Sequence, residues 1–381
     1  MQDKFGDYGI VGFYAVKNGR LLHFVFSCRT LNMGVEQYVY HKIGRPELTT
    51  VGDVSSSLDG NCPDWINLDY TNSEQKTGKV SLDGKKVLFK GPCDMQQLFS
   101  FIKESSNLIT EFTYVNNRGV QIEQGNHTTH IVESQTLSKE QQRHLEKSLP
   151  FGDGGMFRTR MFESDIGAVI LSMLTDPNLG LYQEKSTGAI VAFGEYTNDL
   201  TNSTNWDEII SQNVFTANCR FRESDLQDFQ NRFTFLGRSE PEHVVSNLDF
   251  IYHHLNYNAI LILCLGSTTP FIGNKQPAYE DRHLFHIKLN HLIRNWAAHK
   301  NRVRLLDVNE FIHDQSDFTN NINHYQKHIY YKLSERLMEI LNSDSYEALR
   351  FATESEKQKI AIIRKVKKVP NKIMRFIHGA K

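Results

Sequence analysis

Two short runs of alternating apolar residues, YGIVGFYAV and LLHFVFSC, flank Lys17-Asn18-Gly19 within residues 8 to 28. They predict a β-hairpin, because Asn-Gly supplies the positive φ that a tight two-residue turn needs. The chain runs on through Arg29-Thr-Leu-Asn-Met-Gly-Val-Glu36 into a helical pattern that ends near Lys42, and it turns polar between Asp69 and Asp83. That polar stretch suits a linker or a hairpin end. From Lys86 the pattern changes. KVLFK is a short apolar run that stops at Gly91-Pro92, and Gln96 to Glu104 has helical spacing. LITEFTYV, Asp165 to Leu174, Ala189 to Phe193, Asn258 to Leu265 and Arg302 to Asp307 read as strands. Ser138 to Ser148, Arg282 to His299 and His324 to Leu341 read as helices. Strands alternating with helices predict an α/β fold: a doubly wound parallel sheet with helices on both faces over residues 80 to 345. A small α/β segment, 1 to 75, precedes it, and a tail, 346 to 381, follows.

Composition narrows the function. With 43 Lys and Arg against 44 Asp and Glu the net charge is −1, which lacks the basic field a nucleic-acid binder needs to release counterions. No apolar run approaches the roughly 20 residues that span a bilayer. MQDKFGDYGI has no apolar stretch of the kind a secretory leader carries, so the expected location is the cytoplasm. Cys28, Cys62, Cys93, Cys219 and Cys264 are odd in number and scattered, which predicts reduced thiols in place of a disulfide framework or a zinc site.

In a doubly wound sheet, reactive groups collect where strands end at their carboxyl edge. The most informative such corner is Gly91-Pro92-Cys93-Asp94, where a strand meets what reads as a helix. A thiol at that place sits beside the first helical N–H groups, which favour the thiolate and offer donors to an oxyanion. A small buried Cys packing under a turn is the competing explanation. Three other corners carry polar chemistry: Thr175-Asp176-Pro177-Asn178, Gly266-Ser267-Thr268-Thr269-Pro270, and Asp317-Phe-Thr-Asn-Asn-Ile-Asn-His324. His127 and His130 in NHTTH have a spacing that could ligate a metal, but no carboxylate cluster accompanies them, and no metal site is predicted. His253 and His254 read as solvated or capping, His283 and His286 as a surface face or a pocket mouth, and Tyr325 and Tyr330 as core.

Two resemblances sharpen this. DKFGDYGIVGF followed by SCRTLNMGVEQYV resembles the carboxyl-terminal, acetyltransferase-like half of FkbH-type proteins, over about the first 75 residues. It implies a partial acyl-CoA cleft in which Arg29 and Gly34 match the phosphate loop, or else a remnant that serves as a docking module. No D-x-D phosphatase nucleophile occurs in the chain, so that family's phosphatase chemistry is not implied.

The order of strand-end motifs over residues 85 to 345 resembles the SGNH or GDSL hydrolase superfamily. This implies Cys93 at the nucleophile, Asn178 at the oxyanion-hole Asn and His324 at the base, with Gly119 or Gly125 for the family's glycine. Cys replaces the family's Ser, and Asn321 stands where the family has Asp three residues before the His. An amide oxygen can still hold the imidazole tautomer that accepts a thiol proton, and Asp317 is the alternative orienter. The corner also resembles the G-N-C-Q opening of WcbI-like polysaccharide-biosynthesis proteins. Together the resemblances imply an acyltransferase or esterase with acyl-CoA or an acyl carrier as donor and a glycan or lipid-linked saccharide as acceptor. The alternative is a catalytically inactive docking protein of the same pathway.

Lys357 to Lys381 contains no acid and interleaves Lys and Arg with Ile, Val, Met and Phe, broken at Pro370. That is the pattern of a peripheral anchor on anionic membrane, or of a helix packing one face on the domain.

Overall fold

The hairpin forms where Asn18 and Gly19 adopt φ of 50° and 75°, matching the right-handed twist of the flanking strands. It is made by β3 (Gly12–Lys17) and β4 (Arg20–Phe26), follows the short antiparallel pair β1 (Gln2–Asp3) and β2 (Gly6–Asp7), and leads to α1 (Val35–Lys42). Phe24 meets Phe26 and Tyr40 edge-on, so one hairpin face packs on α1. Phe13 and Val25, paired on the other face, are exposed. The computed structural model describes residues 1–347 except 4–5, 8, 28–29, 31–32, 51–53, 55–56, 59, 61, 67–84, 103–106, 116–120, 123–126, 150–151, 154, 212–220 and 274–278. The predicted linker, Cys28, Arg29, Gly119, Gly125, Cys219 and the basic tail lie outside the described residues.

The main sheet starts at β5 (Lys86–Gly91). The succeeding elements are α2 (Cys93–Phe99), β6 (Leu108–Phe112), the small pair β7 (Tyr114–Val115) and β8 (Gln121–Ile122), α3 (Thr128–Thr136), α4 (Lys139–Ser148) and β9 (Ile166–Ser172). Then come β10 (Leu179–Glu184), β11 (Ile190–Glu195), α5 (Trp206–Ser211), α6 (Glu223–Arg232), β12 (Phe233–Arg238), α7 (Pro241–His254), β13 (Ile260–Leu265), α8 (Arg282–Ala297), β14 (Val303–Asp307) and α9 (Lys327–Glu347).

Five strands form one parallel sheet in the order β14-β13-β9-β5-β6. Their continuous apolar sequences are those of strands buried on both faces. Val87, Phe89, Ile170, Ile262 and Leu306 face α2 and α9, whereas Leu88, Val169, Leu171 and Leu263 face α3, α7 and α8. The chain thus lays β6 on one side of β5 and then crosses to lay β9 on the other. At such a reversal the loops leaving the two central strands part, and a crevice opens at the carboxyl edge. The corner bearing Cys93 follows β5, and the turn bearing Asn178 follows β9.

Ala189 to Phe193 does not join this sheet, in contrast to the expectation from sequence. It belongs to β11, which pairs antiparallel with β10 in a separate three-stranded sheet, β11-β10-β12. Tyr182, Val191, Phe193, Trp206, Phe229 and Phe233 give that sheet its own core with α5 and α6. The reason is local: the turn at Gly188, φ 74°, returns the chain directly beside β10. A parallel pairing would have required a crossover helix. Among the described residues no helix is long and apolar enough to cross a membrane.

Candidate active site

Gly91 ends β5 where a larger residue would not fit: a Cβ there would collide with the Met95 side chain and lie 2.9 Å from Ser172 Cβ. Pro92, extended at ψ −157°, turns the chain into α2, and its carbonyl accepts from Met95 N at 3.1 Å. Cys93 is therefore the first residue of the helix, half-buried and open to solvent. Asp94 beside it is tied back to the sheet, accepting from Ser172 Oγ at 2.7 Å.

His324 arrives from a different part of the chain. Phe318 and Tyr325 bridge antiparallel, and the loop between them closes with Thr319 N donating to His324 O at 2.8 Å and His324 N donating to Asn321 O at 3.1 Å. Tyr325 and Tyr330 pack below in the core, as their sequence context predicts. The loop delivers His324 Nε2 to 3.1 Å from Cys93 Sγ, joining residues 231 positions apart. On the other side of the ring, Nδ1 lies 2.8 Å from Asn320 Oδ1 and 3.1 Å from Asn321 Nδ2.

The shorter of these contacts sets the tautomer. The oxygen at 2.8 Å calls for a proton on Nδ1, since two lone pairs would repel at that distance, and this shorter contact outweighs Asn321 Nδ2 at 3.1 Å, whose N–H suits the opposite tautomer. Nε2 is then unprotonated and aimed at the thiol. Burial lowers the His324 pKa below its ordinary value, so the neutral, proton-accepting ring prevails at neutral pH. Of the two asparagines it is Asn320 that orients the ring. Asn321 uses its oxygen to accept from Asn323 N at 2.9 Å and turns its amide nitrogen toward His324. Asp317, the other sequence candidate, is engaged elsewhere: its carboxylate accepts from His313 N at 2.8 Å and pairs with His328 at 3.3 Å. Asn320 does not stand out in the sequence, because TNNINH offers three asparagines within reach and only the loop's hydrogen bonds select one.

The chain matches no family model and no curated protein.

Asn178 sits in the turn after β9, and its side-chain oxygen accepts from Arg282 Nη2 at 3.0 Å. Arg282 is buried, which nothing in the sequence signals, since an Arg opening a helix looks like a solvated residue. His286, expected on a surface face or at a pocket mouth, is buried against Gly266; Nδ1 contacts Ser267 O at 2.9 Å, and burial drives its pKa down to about 3. Below the Cys93 corner, Cys264, Met95, Ser172 and Tyr325 line a cavity of about 20 Å³, room for one water. Burial pushes the Cys264 thiol well up, so it stays protonated and inert.

A second arrangement has nucleophile-like composition and a different meaning. Ser239 Oγ lies 3.5 Å from His127 Nε2, and His127 Nδ1 lies 3.6 Å from Asp176 Oδ1. However, His127 Nδ1 accepts from Thr129 N at 3.1 Å. The proton then sits on Nε2, the wrong tautomer for activating a serine. All three side chains are buried. Asp176 instead caps α3, accepting from Thr128 N at 3.2 Å. His130 Nε2 accepts from Ala192 N at 2.8 Å. One ring nitrogen of each histidine in NHTTH thus serves a backbone N–H group.

Gly34, φ 72°, opens α1, and a Cβ there would stand 2.8 Å from Pro63 Cγ and 3.0 Å from Trp65 Cζ2. That face of the glycine is filled by packing, so a phosphate has no room on it. Arg29, its partner in the expected acyl-CoA cradle, lies outside the described residues.

Proposed function

We propose that the protein is an acyl-transfer enzyme with a thiol nucleophile, built on an SGNH-like sheet and acting on a glycan or lipid-linked saccharide. Cys93 is the nucleophile, His324 the base and Asn178 the oxyanion donor. The observation that carries this reading is the 3.1 Å approach of Cys93 Sγ to His324 Nε2, with Nδ1 satisfied by Asn320 Oδ1. A docking protein without activity would have no use for a solvent-accessible thiol held against the lone pair of an oriented imidazole. The substrate class is supported by the family resemblances alone.

His324 Nε2 takes the thiol proton as Sγ attacks the carbonyl carbon of an ester or thioester donor. The carbonyl π pair moves to oxygen, where donors at the carboxyl edge hold the charge. Collapse breaks the bond to the leaving alkoxide or thiolate, which takes the proton from Nε2 and leaves an acyl thioester on Cys93. A hydroxyl of the acceptor, or water, then gives its proton to His324 and attacks that thioester. The Cys93 thiolate departs and is reprotonated. Acceptor access against water access separates a transferase from a hydrolase.

The test compares thiols within one molecule. Limiting iodoacetamide followed by peptide mass spectrometry is expected to label Cys93 before exposed Cys62 and before Cys264, and His324→Asn is expected to remove that advantage. p-Nitrophenyl acetate is expected to release one equivalent of nitrophenolate with an acetyl group on Cys93. Labelling of Cys93 no faster than that of Cys62 would defeat the proposal.

A further inference from the structure

The turn after β9 is held at nearly every polar atom of Asn178. Its backbone N donates to Thr175 O at 3.0 Å, its backbone O accepts from Tyr196 N at 3.0 Å, and its side-chain oxygen accepts from Arg282 Nη2 at 3.0 Å. Asn178 Nδ2 alone has no partner among the described residues, and within 171–180 Asn178 is the one residue that is not buried. Arg282 is only 1 % exposed. Nη1 of Arg282 reaches Leu174 O at 3.4 Å and the guanidinium lies over the Tyr279 ring, 4.8 Å from its centre.

A carboxamide has nearly the same shape with its oxygen and nitrogen exchanged, so packing alone does not choose between the two orientations. A guanidinium does choose, because it carries donors and no acceptor. Asn178 must present its oxygen inward to Arg282, and the N–H₂ group is then turned outward. In the opposite orientation the turn would offer an oxygen to a site where negative charge develops. Burial lowers the Arg282 pKa to about 10, which still leaves a cation at neutral pH.

We propose that Arg282 is a positioning residue: by holding Asn178 Oδ1 it sets the carboxamide so that two N–H donors and no acceptor are turned outward at the carboxyl edge of the sheet that also bears Cys93. This rests on the acyl-transfer reading. It adds a residue that acts through the orientation of Asn178.

Two reagents separate the effects in the full chain. Iodoacetamide alkylates Cys93 by displacement at a saturated carbon and forms no oxyanion; p-nitrophenyl acetate acylates it through a tetrahedral oxyanion. Asn178→Ala and Arg282→Met are each expected to slow acetylation about 100-fold. Their alkylation rates are expected to stay within about twofold of the wild type, since no oxyanion donor acts there. The double variant is expected to be no slower than either single one, because both remove the same donor. Arg282→Lys, which keeps the buried charge if the methionine variant fails to fold, is expected to lose about tenfold, since one ammonium cannot bridge Asn178 Oδ1 and Leu174 O as the fork does. Loss of acetylation in Asn178→Ala together with wild-type acetylation in Arg282→Met or Arg282→Lys would overturn the role of Arg282 and leave the acyl-transfer reading standing. Equal loss of acetylation and alkylation in the Arg282 variants would overturn it as well, in favour of a purely structural role. His324→Asn unchanged in both reactions would defeat the acyl-transfer reading itself, and this inference with it.

Discussion

Asn320 Oδ1 and His324 Nδ1 stand 2.8 Å apart, and this contact, four residues apart in sequence, sets the direction in which the imidazole can move a proton. With Nδ1–H donating to Asn320, the ring's free lone pair faces Cys93. Asn320→Ala is expected to slow both alkylation and acetylation of Cys93 about tenfold, the worth of one amide hydrogen bond of about 1.4 kcal/mol. Asn321→Ala, which removes a loop bond to Asn323 N but no acceptor for Nδ1, is expected to cost less than about threefold in the same rates. A larger loss in Asn321→Ala than in Asn320→Ala would reverse the assignment of the orienting residue.

The pH dependence of Cys93 chemistry follows from the buried base. Burial lowers the His324 pKa, so the ring stays neutral to lower pH than a solvent-exposed histidine does, and the acid limb of the acetylation profile is expected below the ordinary histidine value of about 6.5. Stopped-flow acetylation between pH 4 and 8 measures it. A midpoint above 7 would contradict the environment described for His324.

Stability is expected to fall on mild acidification. Burial lowers the pKa of His130 to about 4, of His286 to about 3, and of His127 well below its usual value. Above the unfolded histidine value, near 6.5, these groups bind no proton in either state; below it the unfolded chain takes up protons that the native one refuses. Asp176 opposes them, because burial raises its pKa to about 7. The native state therefore keeps that proton where the unfolded chain has lost it, and the stabilisation is present at low pH and lost as pH rises through 7. The buried histidines outnumber the one aspartate and leave a net uptake of protons on unfolding, so the urea midpoint is expected to fall between pH 6.5 and 4.5. Asp176→Asn removes the opposing group, and its stability relative to the wild type should rise between pH 4 and 8. A pH-independent difference would show that Asp176 does not titrate in this range.

Lys90 and Glu111 form an ion pair at 2.6 Å between neighbouring strands, with the Lys90 side chain fully buried. Glu111 also accepts from Thr159 Oγ1 at 2.8 Å and from Arg160 N at 2.7 Å. Lys90→Met is expected to cost about 3 to 5 kcal/mol, because it strands a buried carboxylate. Adding Glu111→Gln, which keeps an oxygen for Arg160 N and removes the charge, should recover part of that in a urea titration. Additive losses in the double variant would show that the two residues act independently.

The α/β class of fold and the two ends of the candidate site are legible in residue order alone. The hairpin turn at Asn18-Gly19, the apolar runs of β5, β9 and β13, and the helix capped by Ser138 are legible because a turn needs positive φ, a doubly covered strand needs apolar residues on both faces, and a cap needs a hydroxyl. Cys93 and His324 stand out because each follows or precedes such an element at the edge where loops gather. The rest depends on long-range packing. Propensity and periodicity act over about ten residues, whereas the order of strands across a sheet brings together groups hundreds of positions apart. That is why Ala189 to Phe193 reads as one more strand of the main sheet and lies in another, and why Arg282, which looks solvated at a helix start, and His286, which reads as a surface face or a pocket mouth, are buried against specific partners. The choice of Asn320 over Asn321 and Asp317 is likewise not written in the run TNNINH. It arises from which backbone N–H groups the closed loop 319–324 leaves each side chain to satisfy, and a loop's closure is fixed by the packing of Phe318 and Tyr325 beneath it.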